Sequence, residues 1–309
     1  MARSGLRWAA KRTYLEMLRF LPDRLAVTLD YFRVFGAFPD LVHPRRFSEK
    51  IQHLKLSVHD PRAPELVDKV RVKSFVSNAL GEQWLIPTLW HGPEVTESVL
   101  RSVPKPAVVK ANHSSAQVLF LHANSNLNEA ARTANAWLDY DHHVVHREWA
   151  YGQVRREVLI EPFIGEEQAP DDYKFWVFDG AVRFIQLDQD RFKQHTRQFY
   201  SPRWRRLDFG MNYPPPPANA PAPPHLEEMI HAATVLSEGF RFVRVDLYDT
   251  PERPLFGEMT FAPEAGLCRF DPPTFDLQLG ESWAYPRSPE EIERAQSLAD
   301  AFLFKAKDK

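Results

Sequence analysis

Glycine is scarce in this sequence, with 12 in 309 residues, and there is a single cysteine, Cys268. Neither a G-x-x-x-x-G-K-[ST] loop nor a G-x-G-x-x-G turn occurs, which excludes the two familiar glycine-built phosphate cradles. One cysteine excludes an intrachain disulfide framework and points to a reducing, cytoplasmic setting. No apolar run approaches the roughly 20 residues that cross a bilayer. Arg3, Arg7, Lys11, Arg12 and Glu16 interrupt the first segment, so a signal-peptide core is not expected. Lys and Arg number 39 against 41 Asp and Glu, and this near balance argues against a nucleic-acid partner.

What is present suits two lobes, at about 150 residues per domain. Residues 1–35 read as a basic amphipathic helical extension. Two readings stay open for it: a peripheral anchor on anionic lipid at the inner face of a membrane, or a helix packed on the body with its charges solvated. Residues 64–80 have helical spacing, and Gly81 follows as a stop. Residues 84–90 read as a strand broken by Pro87. Strands at 106–110 and 117–121 flank a polar loop at 111–116. A helix is expected at 126–138, and a strand at 157–164. Residues 173–178 and 181–187 flank Asp179-Gly180, a dipeptide favoured in two-residue hairpin turns. Seven of the eleven residues 214–224 are proline, which makes a stiff surface loop. Helix 225–239 follows. Within the last segment, 286–309, residues 288–307 read as a closing helix.

Residues 242–261 carry most of the chemistry. Val243, Val245 and Leu247 alternate with Arg244, Asp246 and Tyr248. Beyond the turn, Leu255, Gly257, Met259 and Phe261 alternate with Phe256, Glu258 and Thr260. A hairpin centred on Glu252 sets Asp246 opposite Glu258 and Arg244 opposite Thr260, provided no bulge shifts the register. One face is then apolar and buried. The other gathers two carboxylates, a guanidinium and a hydroxyl. Like charges directly opposite destabilise a sheet. Either Arg244 neutralises the pair diagonally, or a divalent cation bridges it; carboxylate and hydroxyl oxygens are hard ligands that suit Mg²⁺.

The segments VDKVRVKSFV, PAVVKANHSSAQV, EVLIEPFIGEE, DDYKFWVFDGAVRFI, FRFVRVDLYD and FGEMTFAPEAG occur in this order. Together they resemble the TupA-like ATP-grasp family of the teichuronopeptide-biosynthesis type, over roughly residues 36–285. The resemblance implies an α+β fold in which two α+β subdomains, about 64–156 and 157–285, hold ATP between them. It implies a carboxylate–amine ligase that works through an acyl-phosphate. The implied partners are a carboxylate acceptor, such as a uronic acid or polymer, and an amine or amino acid. The implied setting is cell-surface polysaccharide or polymer biosynthesis. Its implied cofactors are ATP and Mg²⁺.

Carried over residue by residue, Lys69 and Lys110 resemble the two phosphate-contacting lysines. Asn112, His113, Ser114 and Ser115 occupy the place of the phosphate-covering loop, without the glycines usual there. Glu161, Phe163 and Ile164 resemble the hinge that meets adenine, with Pro162 removing one donor. Glu166 or Glu167 is placed to meet ribose. Lys174 is expected to reach phosphate, or else to pair with Asp171 or Asp172. Arg244 resembles the arginine that stabilises the reacting states, and Arg191 is expected at phosphate or at the acceptor carboxylate. Asp246, Glu258 and Thr260 resemble the metal ligands. A kinase using the same ATP site on a hydroxyl, and a nucleotide-binding scaffold with little turnover, are the rival readings. His142 and His146 have a helical zinc spacing, but no cysteine or H-E-x-x-H pattern accompanies them. Cys268 has no readable nucleophile partners and is expected to be buried.

Overall fold

A computed structural model describes residue 14 and residues 17–165, 169–191 and 193–284. Short apolar runs build a first antiparallel sheet from β1 (Trp90–Gly92), β2 (Ala107–Ala111), β3 (Val118–Leu121) and β4 (Val158–Pro162), in the order β1-β4-β2-β3. Val109, Leu121, Val158 and Ile160 pack on Ala130, Ala131 and Ala134 of the helix Leu127–Ala136. That helix starts where expected, because the Asn126 side chain accepts from the Glu129 N–H.

A second antiparallel sheet contains β5 (Asp172–Phe178), β6 (Ala181–Gln189), β7 (Thr196–Tyr200), β9 (Phe242–Asp249) and β10 (Pro254–Thr260), in the order β10-β9-β5-β6-β7. A small ladder joins β8 (Gly210–Met211) to β11 (Phe270–Asp271). The β5–β6 hairpin turns at Asp179 and Gly180, whose φ angles are +49° and +76°; both central residues of this turn type require positive φ.

This second sheet is covered on both faces. On one, Phe175, Val243, Val245 and Leu247 meet the helices Val72–Leu80 and Leu226–Leu236 through Val76, Met229, Ala233 and Leu236. On the other, Trp176, Phe178, Phe184 and Phe242 meet Phe47 and Ile51 of the helix Phe47–Ser57, and Phe275 and Leu279 of the helix Thr274–Glu281. Those two helices are clasped by polar bonds. The Ser48 hydroxyl donates to Asp276 at 2.6 Å, and Lys50 donates to the Gly280 carbonyl at 2.7 Å.

Four expectations need correction. The helix at 64–80 is two helices, Ala63–Val67 and Val72–Leu80. The Asp68 carboxylate accepts from the Val70 and Arg71 N–H groups, both at 2.9 Å, and restarts the helix there. Of residues 84–90, only Trp90 is in a strand, as the first residue of β1. Glu82–Trp84 is a 3₁₀ turn, and Lys73 straps the following chain through the Ile86 carbonyl and the Thr88 hydroxyl. The hairpin β9–β10 carries a bulge at Gly257: Glu258 pairs with Asp246 and Thr260 with Arg244, but Phe256 pairs with Leu247. The bulge sends Phe256, rather than Leu255, into the core beside Val245 and Met259. Finally, β4 hydrogen-bonds within the first sheet, so the sheets divide after Pro162 and not before residue 157. The closing helix at 288–307 and most of the basic residues of 1–35 lie outside the described residues.

Phe47 is fully buried against Trp176, Phe178, Phe242 and Trp283. Phe47→Ala is therefore expected to lower unfolding stability by about 3–5 kcal/mol. Urea denaturation of both proteins measures it.

Candidate functional site

One face of the second sheet is aromatic where helices cover it and charged where they stop. Period-two alternation sets this gradient: β9 presents Phe242, then Arg244, then Asp246, and β5 beside it presents Trp176, Lys174 and Asp172. The Arg244 guanidinium lies along Asp246, donating Nε and Nη2 to its two oxygens, each at 2.7 Å. Nη2 also reaches the Thr260 hydroxyl at 3.2 Å and the Glu258 carboxylate at 3.4 Å. Lys174 donates to Asp172 at 2.6 Å and to Asp246 at 2.5 Å, and Arg191 closes on Asp172 at 2.5 Å. Arg244, Lys174, Asp172 and Asp246 are all buried.

The polar ladder continues across the sheet. The Trp176 indole N–H donates to Gln186, and the Gln186 amide donates to Asp188. Arg197 forks onto Asp188 at 2.6 and 2.9 Å and touches Glu264 at 3.5 Å. Burial pushes the Asp188 carboxyl up, but Arg197 outweighs it and holds it well below the usual range.

The first lobe brings its lysines to the same region. Lys69 sits in the turn that Asp68 organises and donates to the Ser114 carbonyl at 2.6 Å and the Asn112 carbonyl at 3.5 Å. Burial lowers its pKa, while the charge of Glu258 opposes that. Asn112 is locked in turn. Its Oδ1 accepts from the Val70 N–H, and its Nδ2 donates to the Arg155 carbonyl. His113 is buried and bonds the Trp137 carbonyl at 3.0 Å; burial depresses its pKa. The Ser114 hydroxyl donates to Gln117. The turn 112–116 is thus tied inward through three of its side chains, and Ser115 is exposed.

A second cluster forms around Glu161. Its carboxylate takes Lys110 at 2.7 Å and Lys73 at 2.5 Å. Burial raises the Glu161 pKa, and the two lysines overcome that and lower it. The Phe163 N–H donates to the Pro106 carbonyl at 3.2 Å, and its ring lies edge-on to Phe120. Ile164 is half-buried just beyond. Glu166 and Glu167 lie outside the described residues.

The structure therefore gathers Arg244, Lys174, Arg191, Asp246, Glu258 and Thr260 into one group, pairs Lys110 with Glu161 in a second, and places Lys69 within the field of both. Sequence reasoning missed Lys73, in the first turn of the helix Val72–Leu80, four residues beyond Lys69. It also missed Glu264 and the Gln186–Asp188–Arg197 network, which no motif marks. Asp172 was foreseen only as one of two alternative partners for Lys174.

Charge explains what the group can accept. Four cations (Lys69, Lys174, Arg191, Arg244) face three carboxylates, a balance that suits an anion such as a polyphosphate. Burial pushes the Glu258 carboxyl up, but Lys69, Arg244, Lys174 and Arg191 together hold it down at about 2. Burial pushes Asp246 up to about 6, with Asp172 and Glu258 adding to it against Arg244 and Lys174. Asp246 and Glu258 stand opposite each other across β9 and β10, and with the Thr260 hydroxyl they offer the hard oxygen donors that fit Mg²⁺, Glu258 being the least engaged of the three. Among the described residues no ready-made cluster of three or more His, Cys, Asp or Glu side chains forms a metal cage. The His142 and His146 rings lie 4.6 Å apart, tilted by 43°, and are engaged by Glu148 and Tyr140, and Cys268 is buried.

The profile of TupA-like ATPgrasp proteins matches residues 49–284. The chain belongs to the TupA-like ATP-grasp family. Three solved structures are similar to this family member. D-alanine–D-alanine ligase from Bacillus anthracis complexed with ATP is 14% identical, with a TM-score of 0.41 over 78% of this chain and 66% of that one. The ATP-grasp ligase PsnB complexed with minimal precursor is 13% identical, with a TM-score of 0.37 over 80% and 62%. The ADP complex of PurK, N5-carboxyaminoimidazole ribonucleotide synthetase, is 12% identical, with a TM-score of 0.40 over 69% and 50%. The chain spans about half to two thirds of these proteins. Likenesses this distant carry no argument about its chemistry. No curated protein matches the sequence.

The depressed Glu258 pKa has a consequence for stability. Its stabilising contribution is fully present above the ordinary value of 4.5 and is lost as pH falls through about 2. Between about pH 5 and pH 3, the urea midpoint of the wild type is expected to fall more steeply than that of Glu258→Gln. Parallel slopes would exclude the ion pairing described here.

Proposed function

We propose that this protein is an ATP-dependent carboxylate–amine ligase. The observation that carries the reading is Arg244. Its guanidinium is held by Asp246, lies within reach of Glu258 and Thr260, and shares an electrostatic field with Lys69. A planar, permanently charged group held rigidly is suited to offset charge on a phosphoryl group in transfer.

In the first step a carboxylate oxygen of the acceptor attacks the γ-phosphorus of ATP, the bond to ADP breaks, and an acyl-phosphate forms. In the second, an amine nitrogen bonds to the acyl carbon, inorganic phosphate leaves, and the amine's proton passes to solvent. Lys69, Lys110 and Lys174 bind and orient the phosphates, and Arg244 balances charge as it moves to the leaving oxygen. Lys110 exchanges Glu161 for phosphate when nucleotide enters. Backbone groups of Glu161, Phe163 and Ile164 meet adenine, and Glu166 or Glu167 meets ribose. The turn residues Asn112, His113, Ser114 and Ser115 border the phosphates, with Ser115 offering its hydroxyl outward. Arg191, which is partly exposed, orients the acceptor carboxylate. Asp246, Glu258 and Thr260 would hold Mg²⁺, which supplies charge neutralisation at the phosphate oxygens when bound.

The acceptor is read as a uronic acid or other carboxylate of a cell-surface polymer, and the amine as an amino acid or related compound. A cytoplasmic enzyme working at the inner face of the membrane fits that role. Among the described residues no helix is long and apolar enough to cross a membrane. Met17, Phe20, Leu25 and Phe38 are exposed next to the basic amino-terminal segment, which supports a peripheral contact.

Phosphate release from Mg-ATP, followed across panels of amino acids with uronic-acid or polyglutamate acceptors, tests the reading. Release that requires both amine and acceptor is expected. Phosphorylated acceptor without amine would indicate a kinase instead, and ATP binding without turnover a scaffold. Glu258→Gln is expected to lower turnover by about 100-fold or more; wild-type turnover and Mg-ATP affinity in that variant would sink the metal assignment.

A further inference from the structure

A cavity of about 130 Å³ lies beyond the carboxyl end of β10, between the helix Phe47–Ser57, the segment around Trp149 and the start of β9. That volume is close to the ~150 Å³ that takes one benzene ring. Trp149, Phe240 and Phe261 wall it, and Phe261 directly follows Thr260. Three charged groups reach it that the proposed chemistry leaves unused. Arg241 lines it, and its Nη1 is buried with no hydrogen-bond partner. Lys55 lines it, and among the described residues its ammonium meets no carboxylate, only the Ala265 carbonyl at 2.8 Å. Glu148 lines it too, and among the described residues its carboxylate bonds only His142, at 3.4 Å. Asp60, a fourth charged lining residue, is already engaged by Arg62 at 2.8 Å.

A buried guanidinium N–H without a partner, on a side chain that is itself only partly buried, is costly unless an acceptor meets it. An ammonium and a carboxylate that share a small cavity without pairing leave room for a ligand bearing both opposite charges. We propose that this cavity binds the amine substrate as a free amino acid, its carboxylate held by Arg241 and Lys55 and its ammonium by Glu148. The assignment rests on the ligase reading and specifies its nucleophile. The small volume and aromatic walls select a compact or apolar side chain over a long charged one. The cavity adjoins the charged cluster along the chain: Phe242, two residues before Arg244, and Phe261, directly after Thr260, both line it. Burial depresses the Lys55 pKa to about 8, with Glu148 opposing, as expected of a cation lacking a close counter-ion.

Calorimetric titration of the full-length protein with L-alanine, L-serine, L-valine and L-lysine, and with ethanolamine and propionate, tests this. One of the compact amino acids is expected to bind, with ethanolamine and propionate each weaker by about tenfold or more, since each lacks one charged contact. Arg241→Met and Glu148→Gln are each expected to weaken amino-acid binding about tenfold, while Arg241→Lys retains most of it. Because Glu148 is half-buried and its variant could fail to fold, Ala63→Leu, which fills the cavity from the helix Ala63–Val67, serves as a second probe. It is expected to abolish binding with circular dichroism unchanged. Equal binding of ethanolamine and the amino acids, or undiminished binding in Arg241→Met and Ala63→Leu, would overturn the pocket. Amine-dependent phosphate release with an unchanged KM for the amino acid in those variants would overturn the pocket and leave the ligase reading intact. Amino-acid binding without ATP turnover would support the pocket and remove the ligase reading.

Discussion

The bidentate bond between Arg244 and Asp246 organises the charged end of the second sheet. Both groups are buried, and each would be expensive there alone. Lys174 extends the pairing to Asp172, and Asp172 extends it to Arg191. Apart from Arg191, which follows β6, the partners come from a neighbouring strand or the same strand, so their positions are set by sheet register. This is why a chain short of glycine can present a precise array of charge: the scaffold is hydrogen-bonded backbone on both sides. The aromatic half of the same face, sealed by Phe47 and Trp283, keeps that scaffold rigid.

The two lobes contribute differently. The second supplies fixed charges in a closed network. The first sheet supplies Lys110, and the turn and helix before it supply Lys69 and Lys73; Lys69 rests on two backbone carbonyls, whereas Lys110 and Lys73 share the buried Glu161 carboxylate. An arriving polyanion competes easily with a carbonyl and less easily with a buried ion pair. By that measure Lys69 is the most easily displaced of these cations, while the buried Glu161 carboxylate holds Lys110 and Lys73 in order.

Much of this was legible in the sequence because it is local. The β9–β10 hairpin announced itself through alternation, and the pairing of Asp246 with Glu258 and Arg244 with Thr260 followed from the turn. The Asp179-Gly180 turn was equally plain. The bulge at Gly257 was not, since a single glycine in a strand signals one only weakly. The helix break at Asp68 was hidden by apolar spacing that runs through it. The role of the Glu161 side chain was out of reach altogether: its partners Lys110 and Lys73 lie 51 and 88 residues away. Such contacts appear only when the first sheet is assembled. The cavity beside Trp149 draws its walls from segments still more widely separated.

Gly257 has one further consequence, for how chains of this family vary in length. It is the extra residue of the bulge, and a Cβ there would stand 2.9 Å from the Asp246 carbonyl. A relative lacking that one position would keep Phe256 and Met259 on the core face and Glu258 on the other, because the ladder on either side is already regular. A single-residue gap within 258–260 would instead turn everything beyond it to the wrong face. Position 257 is thus where a one-residue indel can pass through the most constrained strand of the fold without disturbing its chemistry.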